Sequence, residues 1–184
     1  MTLMITKKPC PAVQSTAAPA DVLSYAVADS ELGKVLVARS VKGVCTILLG
    51  DSAEELVDDL AGRFQQAIIL PKPAALRNDI AKVLRFIDQP ADGLFLDLDM
   101  RGTPFQRRVW EKLKAISVGR TVTYTELAHW ISPFANPRAV AGACAANPIA
   151  LAIPCHRVVR ADGGLADYRW GIDRKRTLIE REAA

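Results

Sequence analysis

From Val22 to Leu49 the chain runs through three short stretches rich in β-branched residues, Val22–Ala28, Lys34–Arg39 and Gly43–Leu49, with Glu31-Leu32-Gly33 and Lys42-Gly43 at the junctions. Apolar runs of this length broken by glycine predict strands joined by tight turns, here a small antiparallel meander. The period then changes. Ala53, Leu56, Val57, Leu60 and Phe64 recur at helical spacing behind Ser52 and Glu55, which stand three apart as in a capping box. Beyond the break at Pro71 and Pro73, the positions Leu76, Ile80, Val83, Leu84 and Ile87 predict another helix. Leu94, Leu96 and Leu98 alternate with Phe95, Asp97 and Asp99, which predicts a further strand. Residues 21–100 therefore read as an α+β unit.

The second half, residues 101–184, is predicted to be mostly helical. Thr103, Pro104 and Gln106 supply an N-cap, a proline at the first helical position and a capping-box partner for a helix buried through Phe105, Val109, Leu113 and Ile116. Gly119 ends that region. Thr123 and Glu126 box a short helix through Trp130, Ser132 and Pro133 turn the chain, and Asn136-Pro137 opens another helix running to about Ala146. Two short helices and a tight turn form a helix-turn-helix pattern, which many proteins that never touch DNA also carry. The second helix is nearly all Ala, Gly, Val and Cys after Arg138. Such small side chains permit close approach to a neighbouring helix or to the wall of a DNA groove, and an arginine in the first turn favours the second reading. Residues 1–20, rich in Pro, Ala, Ser and Thr and without periodicity, read as a flexible tail.

Composition narrows the class. A chain of 184 residues with 50% hydrophobic and 24% charged content is an ordinary globular protein, not a collagen-like, disordered or disulfide-stapled one. The four cysteines, Cys10, Cys45, Cys144 and Cys155, form no CxxC pair, which argues against zinc and disulfides and for a reduced, cytoplasmic setting. Lys7 and Lys8 are followed by Pro, Gln, Ser and Thr rather than the apolar core of a signal peptide, and the Ala/Gly-rich stretch Ala139–Pro154 is too short for a bilayer, so no membrane role is expected. The net charge of +4 is unevenly placed. Residues 1–100 hold 10 Lys and Arg against 13 Asp and Glu, whereas residues 101–184 hold 14 against 7. A basic half is either a solvated face or the footprint of a polyanion, most simply nucleic acid.

Only two histidines exist, which limits the general bases. His129 sits beside Trp130 and reads as a surface residue; His156 follows Cys155 directly. A thiolate is a strong nucleophile, favoured by nearby histidine or positive charge, and His156, Arg157 and Arg160 all lie within five residues of Cys155. In a regular strand neighbours point to opposite faces, so a turn or a water relay is predicted between Cys155 and His156. Cys45 and Cys144 read as inert buried thiols. In the last helix Lys175, Leu178, Ile179 and Glu182 share a face, so Glu182 points into the protein. A carboxylate there wants a partner, and His156 is the natural candidate for a Cys-His-Glu relay; a simple terminal salt bridge is the competing reading.

Pro154-Cys155-His156-Arg157-Val158 resembles the active-site motif of the O6-alkylguanine-DNA alkyltransferases, the methylated-DNA–protein-cysteine methyltransferases. The resemblance runs from about Tyr25 to Glu182 through Gly102-Thr103-Pro104-Phe105-Gln106, Tyr124-Thr125-Glu126-Leu127-Ala128, Ala143-Cys144-Ala145-Ala146-Asn147 and Tyr168-Arg169-Trp170-Gly171. It is greatest to the C-terminal domain of the bacterial Ada proteins. The fold it implies is an RNase H-like N-terminal α/β subdomain with a small antiparallel sheet, followed by a winged helix-turn-helix-like domain. The activity it implies is irreversible transfer of an alkyl group from O6-alkylguanine, or O4-methylthymine, in double-stranded DNA to the protein's own cysteine. One transfer per molecule, no cofactor, no metal and a monomer are expected.

Carried over residue by residue, Cys155 matches the alkyl acceptor, activated through water by His156 and in turn by Glu182. Tyr124 matches the tyrosine that helps rotate the target nucleotide and hydrogen-bonds the leaving guanine. Arg138 matches the arginine that fills the gap in the base stack. Asn147 matches the asparagine tying the recognition helix to the active-site loop, while Tyr168 and Arg169 match the wall of the base pocket. Base extrusion suits this chemistry, because a target carbon inside a duplex is out of reach and an arginine wedge with a small-residue helix suits minor-groove entry. Ser117 replaces the usual proline of the family's Ile-Pro-x-Gly turn, and Asn136-Pro137 precedes Arg138 where small or aliphatic residues are commoner. The metal-binding N-terminal domain of full Ada proteins is outside the resemblance, so zinc binding and transcriptional self-activation are not implied. A non-catalytic binder of alkylated DNA is the second class, and Cys155 counts against it. A cysteine hydrolase is the third, distinguished by multiple turnover.

Overall fold

Gly33 and Gly43, at φ values of 93° and 150°, adopt the left-handed backbone that turns the first three strands back on one another. The computed structural model describes residues 21–184, so the tail expected at 1–20 lies outside the described residues. Strand β1 (Val22–Ser30) pairs antiparallel with β2 (Gly33–Ser40), and β2 with β3 (Gly43–Gly50), with a bulge at Ala38/Arg39. This is the predicted meander. A fourth strand, β4 (Ile68–Pro71), joins in parallel on the free side of β1, giving the order β3-β2-β1-β4, and was not foreseen.

Helix α1 (Ala53–Arg63) packs on β2 and β3, and α2 (Pro73–Asp88) on β1 and β2. Ser52 caps α1 by accepting from the Glu55 amide, but the reciprocal half of the expected capping box, a bond from the Ser52 amide to the Glu55 carboxylate, is missing; the Ser52 hydroxyl donates to Glu54. Leu94 to Leu98 does not form a regular strand. Leu94, Leu96 and Leu98 do pack on the core while Phe95 is exposed, yet the segment meets β3 only at Val44, whose amide donates to Asp97 O and whose carbonyl accepts from Asp99. The alternation was sound; a strand partner of matching length was absent.

Gly43 permits that meeting. A Cβ there would lie 2.5 Å from the Asp97 carbonyl oxygen, and the positive φ disfavours any side chain. Gly43→Ala is expected to lower stability by about 1–3 kcal/mol, read as a lower midpoint in urea at unchanged slope.

In the second half α3 (Pro104–Lys114) begins with the complete Thr103/Gln106 capping box, and α4 (Tyr124–Ile131) with the complete Thr123/Glu126 box. Helix α5 (Pro137–Ala145) is capped by Asn136, and α3, α4 and α5 pack on one another. Trp110, almost wholly buried, donates from Nε1 to Ala143 O at 2.9 Å and pins α3 to α5. Two-residue strands β5 (Val122–Thr123) and β6 (Val158–Val159) pair in parallel, and α6 (Ile172–Glu182) closes the chain. The whole is a mixed α+β fold whose core is continuous from the sheet to the helices. Among the described residues no helix is long and apolar enough to cross a membrane.

Candidate active site

Between α5 and β6 the chain is irregular and buried, and a single asparagine organises it. Asn147, fully buried, donates from Nδ2 to Ile153 O at 2.8 Å and to Cys155 Sγ at 3.2 Å, while its Oδ1 accepts from the Ile149 amide. Leu151 takes a positive φ of 67° on the way, a strained conformation that the surrounding packing must enforce. Cys155, His156 and Arg157 then form one turn of 3-10 helix. At three residues per turn, successive side chains leave about a third of a circle apart. The turn expected between Cys155 and His156 is therefore present, and no hydrogen bond joins the two side chains.

Cys155 lines a cavity of about 560 Å3 together with Tyr124, Cys144, Arg160, Tyr168 and Arg169, within the size range of small-molecule sites. The other two residues of the turn face the interior. His156 Nε2 and Glu182 Oε1 are 2.8 Å apart, and Arg157 clasps the same carboxylate, Nε to Oε2 at 2.7 Å and Nη2 to Oε1 at 2.8 Å. Burial opposes ionisation of Glu182, but the hydrogen bonds from His156 and Arg157, with the Arg157 charge, outweigh it and hold the carboxyl at about 2. An ionised carboxylate only accepts, so His156 Nε2 donates to it and Nδ1 keeps the lone pair; Nδ1 is buried with no partner. Burial, helped by the positive charges of Arg157 and Lys175 and opposed by Glu182, lowers the histidine below its usual value.

Lys175 is completely buried. Its ammonium donates to Val158 O at 2.6 Å and Ala166 O at 3.3 Å, fastening α6 to β6 and to the segment that walls the cavity. Burial pushes the Cys155 thiol up to about 11, against the Asn147 hydrogen bond and the Lys175 charge, so the resting cysteine is a thiol. Burial also raises Tyr124 to about 12, aided by Cys144 and Cys155, which keeps its hydroxyl a proton donor. Tyr168 is buried against Trp170 in an edge-to-face contact at 5.1 Å, and its hydroxyl has no partner. Burial raises it well above the ordinary tyrosine range.

The other predicted residues fall around this centre. Arg138 is exposed in the first turn of α5 and shares a helix face with Ala141, Gly142 and Ala145, which line the cavity, so it stands on the rim side rather than within. Arg169 lines the cavity but also donates to both carboxylate oxygens of Asp59 on α1, at 3.1 and 3.2 Å. His129 is exposed, and Cys45 is buried with its thiol raised to about 11 by burial. Cys144 is buried as expected yet contributes to the cavity wall. Sequence reasoning missed the Arg157 clasp and the Lys175 anchor. For Lys175 the signal was present, a charge on the apolar face shared with Leu178 and Glu182.

Residues 104–184 match the family description "6-O-methylguanine DNA methyltransferase, DNA binding domain". The bifunctional transcriptional activator/DNA repair enzyme Ada of Escherichia coli K12 is 48% identical over 159 residues, which is 86% of this chain and 45% of that protein. The chain thus spans about half the length of that relative. A methylated-DNA–protein-cysteine methyltransferase from Candida albicans is 34% identical across 87% of this chain and 96% of its own length. The crystal structure of Mycobacterium tuberculosis OGT in complex with DNA superposes with a TM-score of 0.72 at 32% identity, covering 87% of this chain and 92% of that one. With the motif blocks in family order, relatives of full length and a matching fold, this chain belongs to the methylated-DNA–protein-cysteine methyltransferase family.

Proposed function

We propose that this protein repairs duplex DNA by extruding O6-alkylguanine, and O4-methylthymine, and taking the alkyl group irreversibly onto Cys155. The observation that carries the reading is the cavity itself: among the described residues, the one cysteine with a histidine–carboxylate pair beside it opens into a pocket walled by two tyrosines and bordered by a small-residue helix. In the reaction the Cys155 sulfur bonds the alkyl carbon as the carbon–O6 bond breaks. The thiol proton passes by way of water to His156 Nδ1, whose other nitrogen is held by Glu182. Tyr124 donates a hydrogen bond to the departing guanine, and Asn147 aims the sulfur while tying α5 to the loop. Arg138 fills the space the base leaves, and Tyr168 and Arg169 wall the base. The thioether cannot be displaced by any group in the pocket, so each molecule reacts once and needs no cofactor.

The M. tuberculosis relative was crystallised with DNA, which supports a DNA partner here. We assign the support role to residues 21–100, as an RNase H-like subdomain, and DNA binding and alkyl acceptance to residues 101–184, as a winged helix-turn-helix-like unit. The protein acts as a monomer in the cytoplasm. Incubation with excess duplex carrying one O6-methylguanine is expected to stop at one methyl group per protein, found on the Cys155 peptide by mass spectrometry. Repeated turnover would make it a hydrolase; tight binding without transfer would make it a binder. Arg138→Ala is expected to slow transfer from duplex at least about tenfold, since base extrusion is worth a few kcal/mol, and to leave transfer from the free base unchanged. Duplex affinity is expected to fall as salt rises.

A further inference from the structure

Glu182 has two side-chain partners, and the stronger is not the histidine; the Gly119 amide also donates to its Oε2, at 3.5 Å. Arg157 is only 5% exposed, and each of its three guanidinium nitrogens makes a hydrogen bond: Nε and Nη2 take both oxygens of Glu182, and Nη1 donates to Ile116 O at 2.5 Å. Two parallel bonds between planar groups form the most directional ion pair available to side chains. His156 Nε2 shares Oε1 within the same pocket of structure, where the side chains of His156 and Glu182 are almost wholly enclosed. The charges that face His156 are therefore Glu182 and Arg157, with Lys175 beyond them, and its remaining neighbours, Cys155 and Tyr168, are neutral at rest.

The balance of those charges decides the state of the imidazole. A buried carboxylate facing a histidine alone would draw a proton onto it, because a closed interior favours paired opposite charges. Here the arginine already neutralises the carboxylate, so a proton on His156 would add uncompensated positive charge beside Arg157 and Lys175. We propose that Arg157 is a positioning residue for alkyl transfer: it occupies the charge of Glu182 so that His156 rests as a neutral base with its Nδ1 lone pair free. Nucleophile, base and the counter-ion that sets the base are then consecutive residues of one 3-10 turn. The link to Ile116 adds a tie between the end of α3 and this relay. The inference rests on the reading of Cys155 as acceptor and His156 as its base.

The test is the pH dependence of single-turnover methyl transfer to Cys155 from free O6-methylguanine and from duplex. Arg157→Met is expected to lower the rate at pH 7 about tenfold or more, to regain it as pH rises, and to move the midpoint of the acid limb up by at least about one unit, since one unit is tenfold in proton affinity. Arg157→Lys, which keeps the charge without the fork, should fall between that variant and the native protein. Duplex affinity should change less than twofold. A uniform loss of rate at every pH with an unmoved midpoint would make Arg157 a purely structural residue and overturn the proposal. Should Arg157→Met fail to fold, nitrogen NMR of the native protein still decides: His156 is expected to be neutral at pH 7 with its proton on Nε2, and an imidazolium there overturns the proposal. If the native protein transfers no alkyl group to Cys155 the functional reading fails instead, and the histidine resonances stand independently of it.

Discussion

Cys155→Ala is expected to abolish alkyl transfer, leaving no detectable label on the protein after incubation with methylated duplex, while Cys45→Ala and Cys144→Ala retain it. The contrast follows from where the three thiols sit. Cys45 is sealed in the sheet against Ala38 O, and Cys144 forms cavity wall without a histidine behind it; Cys155 alone has both the opening and the relay. Loss of the sulfur should not unfold the protein. Asn147 Nδ2 keeps its bond to Ile153 O when Sγ is gone, so no buried donor is orphaned and the stability change stays at about 1 kcal/mol. The variant should therefore still bind duplex, and a gel-shift assay beside the transfer assay separates lost chemistry from lost fold. Any transfer by Cys155→Ala would overturn the assignment of the acceptor.

Glu182→Ala is expected to give the largest loss of stability of any single change in the site. It leaves the buried guanidinium of Arg157 without a counter-charge and His156 without its acceptor, and breaking a buried pair from one side costs about 3–5 kcal/mol. For a chain of this size that is a fall in melting temperature on the order of ten degrees, with alkyl transfer lost as well. Acid carries the same signature. The Glu182 carboxyl is held at about 2, below the value it takes when unfolded, so its contribution is complete above about pH 4.5 and disappears as pH falls toward 2. The difference is worth about 3 kcal/mol. Native protein should thus lose stability steeply through that window, and Glu182→Ala, lacking the group, should show a shallower acid limb. An equally steep limb in the variant would mean that other carboxylates govern acid unfolding.

How far the sequence could be read depended on how local each cause was. The meander was visible because Gly33 and Gly43 mark its turns and the strands between them are contiguous. Strand β4 was not, because its four residues have no alternation and its partner, β1, lies some 45 residues upstream in a parallel pairing. At 94–98 the pattern reported burial correctly and backbone pairing incorrectly, since alternation tells which side faces the core and nothing about whether a partner strand is available. The site divided the same way. Helical spacing alone turned Glu182 inward, and adjacency alone forced the expectation of a turn after Cys155. That the carboxylate would be clasped by Arg157 was beyond reach, because it depends on a 3-10 turn placing residues 156 and 157 against the last turn of α6. Arg169 lines the cavity and is also held to Asp59, a contact across 110 positions that no local pattern encodes.

Strand β3 ends one side of the sheet, and an open edge is a template onto which another chain can add itself. Here two rungs of that edge are capped from within. Val44 is occupied by Asp97 and Asp99, and Ile47 by Pro148 and Ala150, the latter pair lying between α5 and Cys155. The stretch that aims the nucleophile is thus also the stopper on the sheet. A fragment ending near residue 100 would bare Ile47 and the buried row around it, and should self-associate rather than persist as a soluble half, so the acceptor loop protects the very scaffold that supports it.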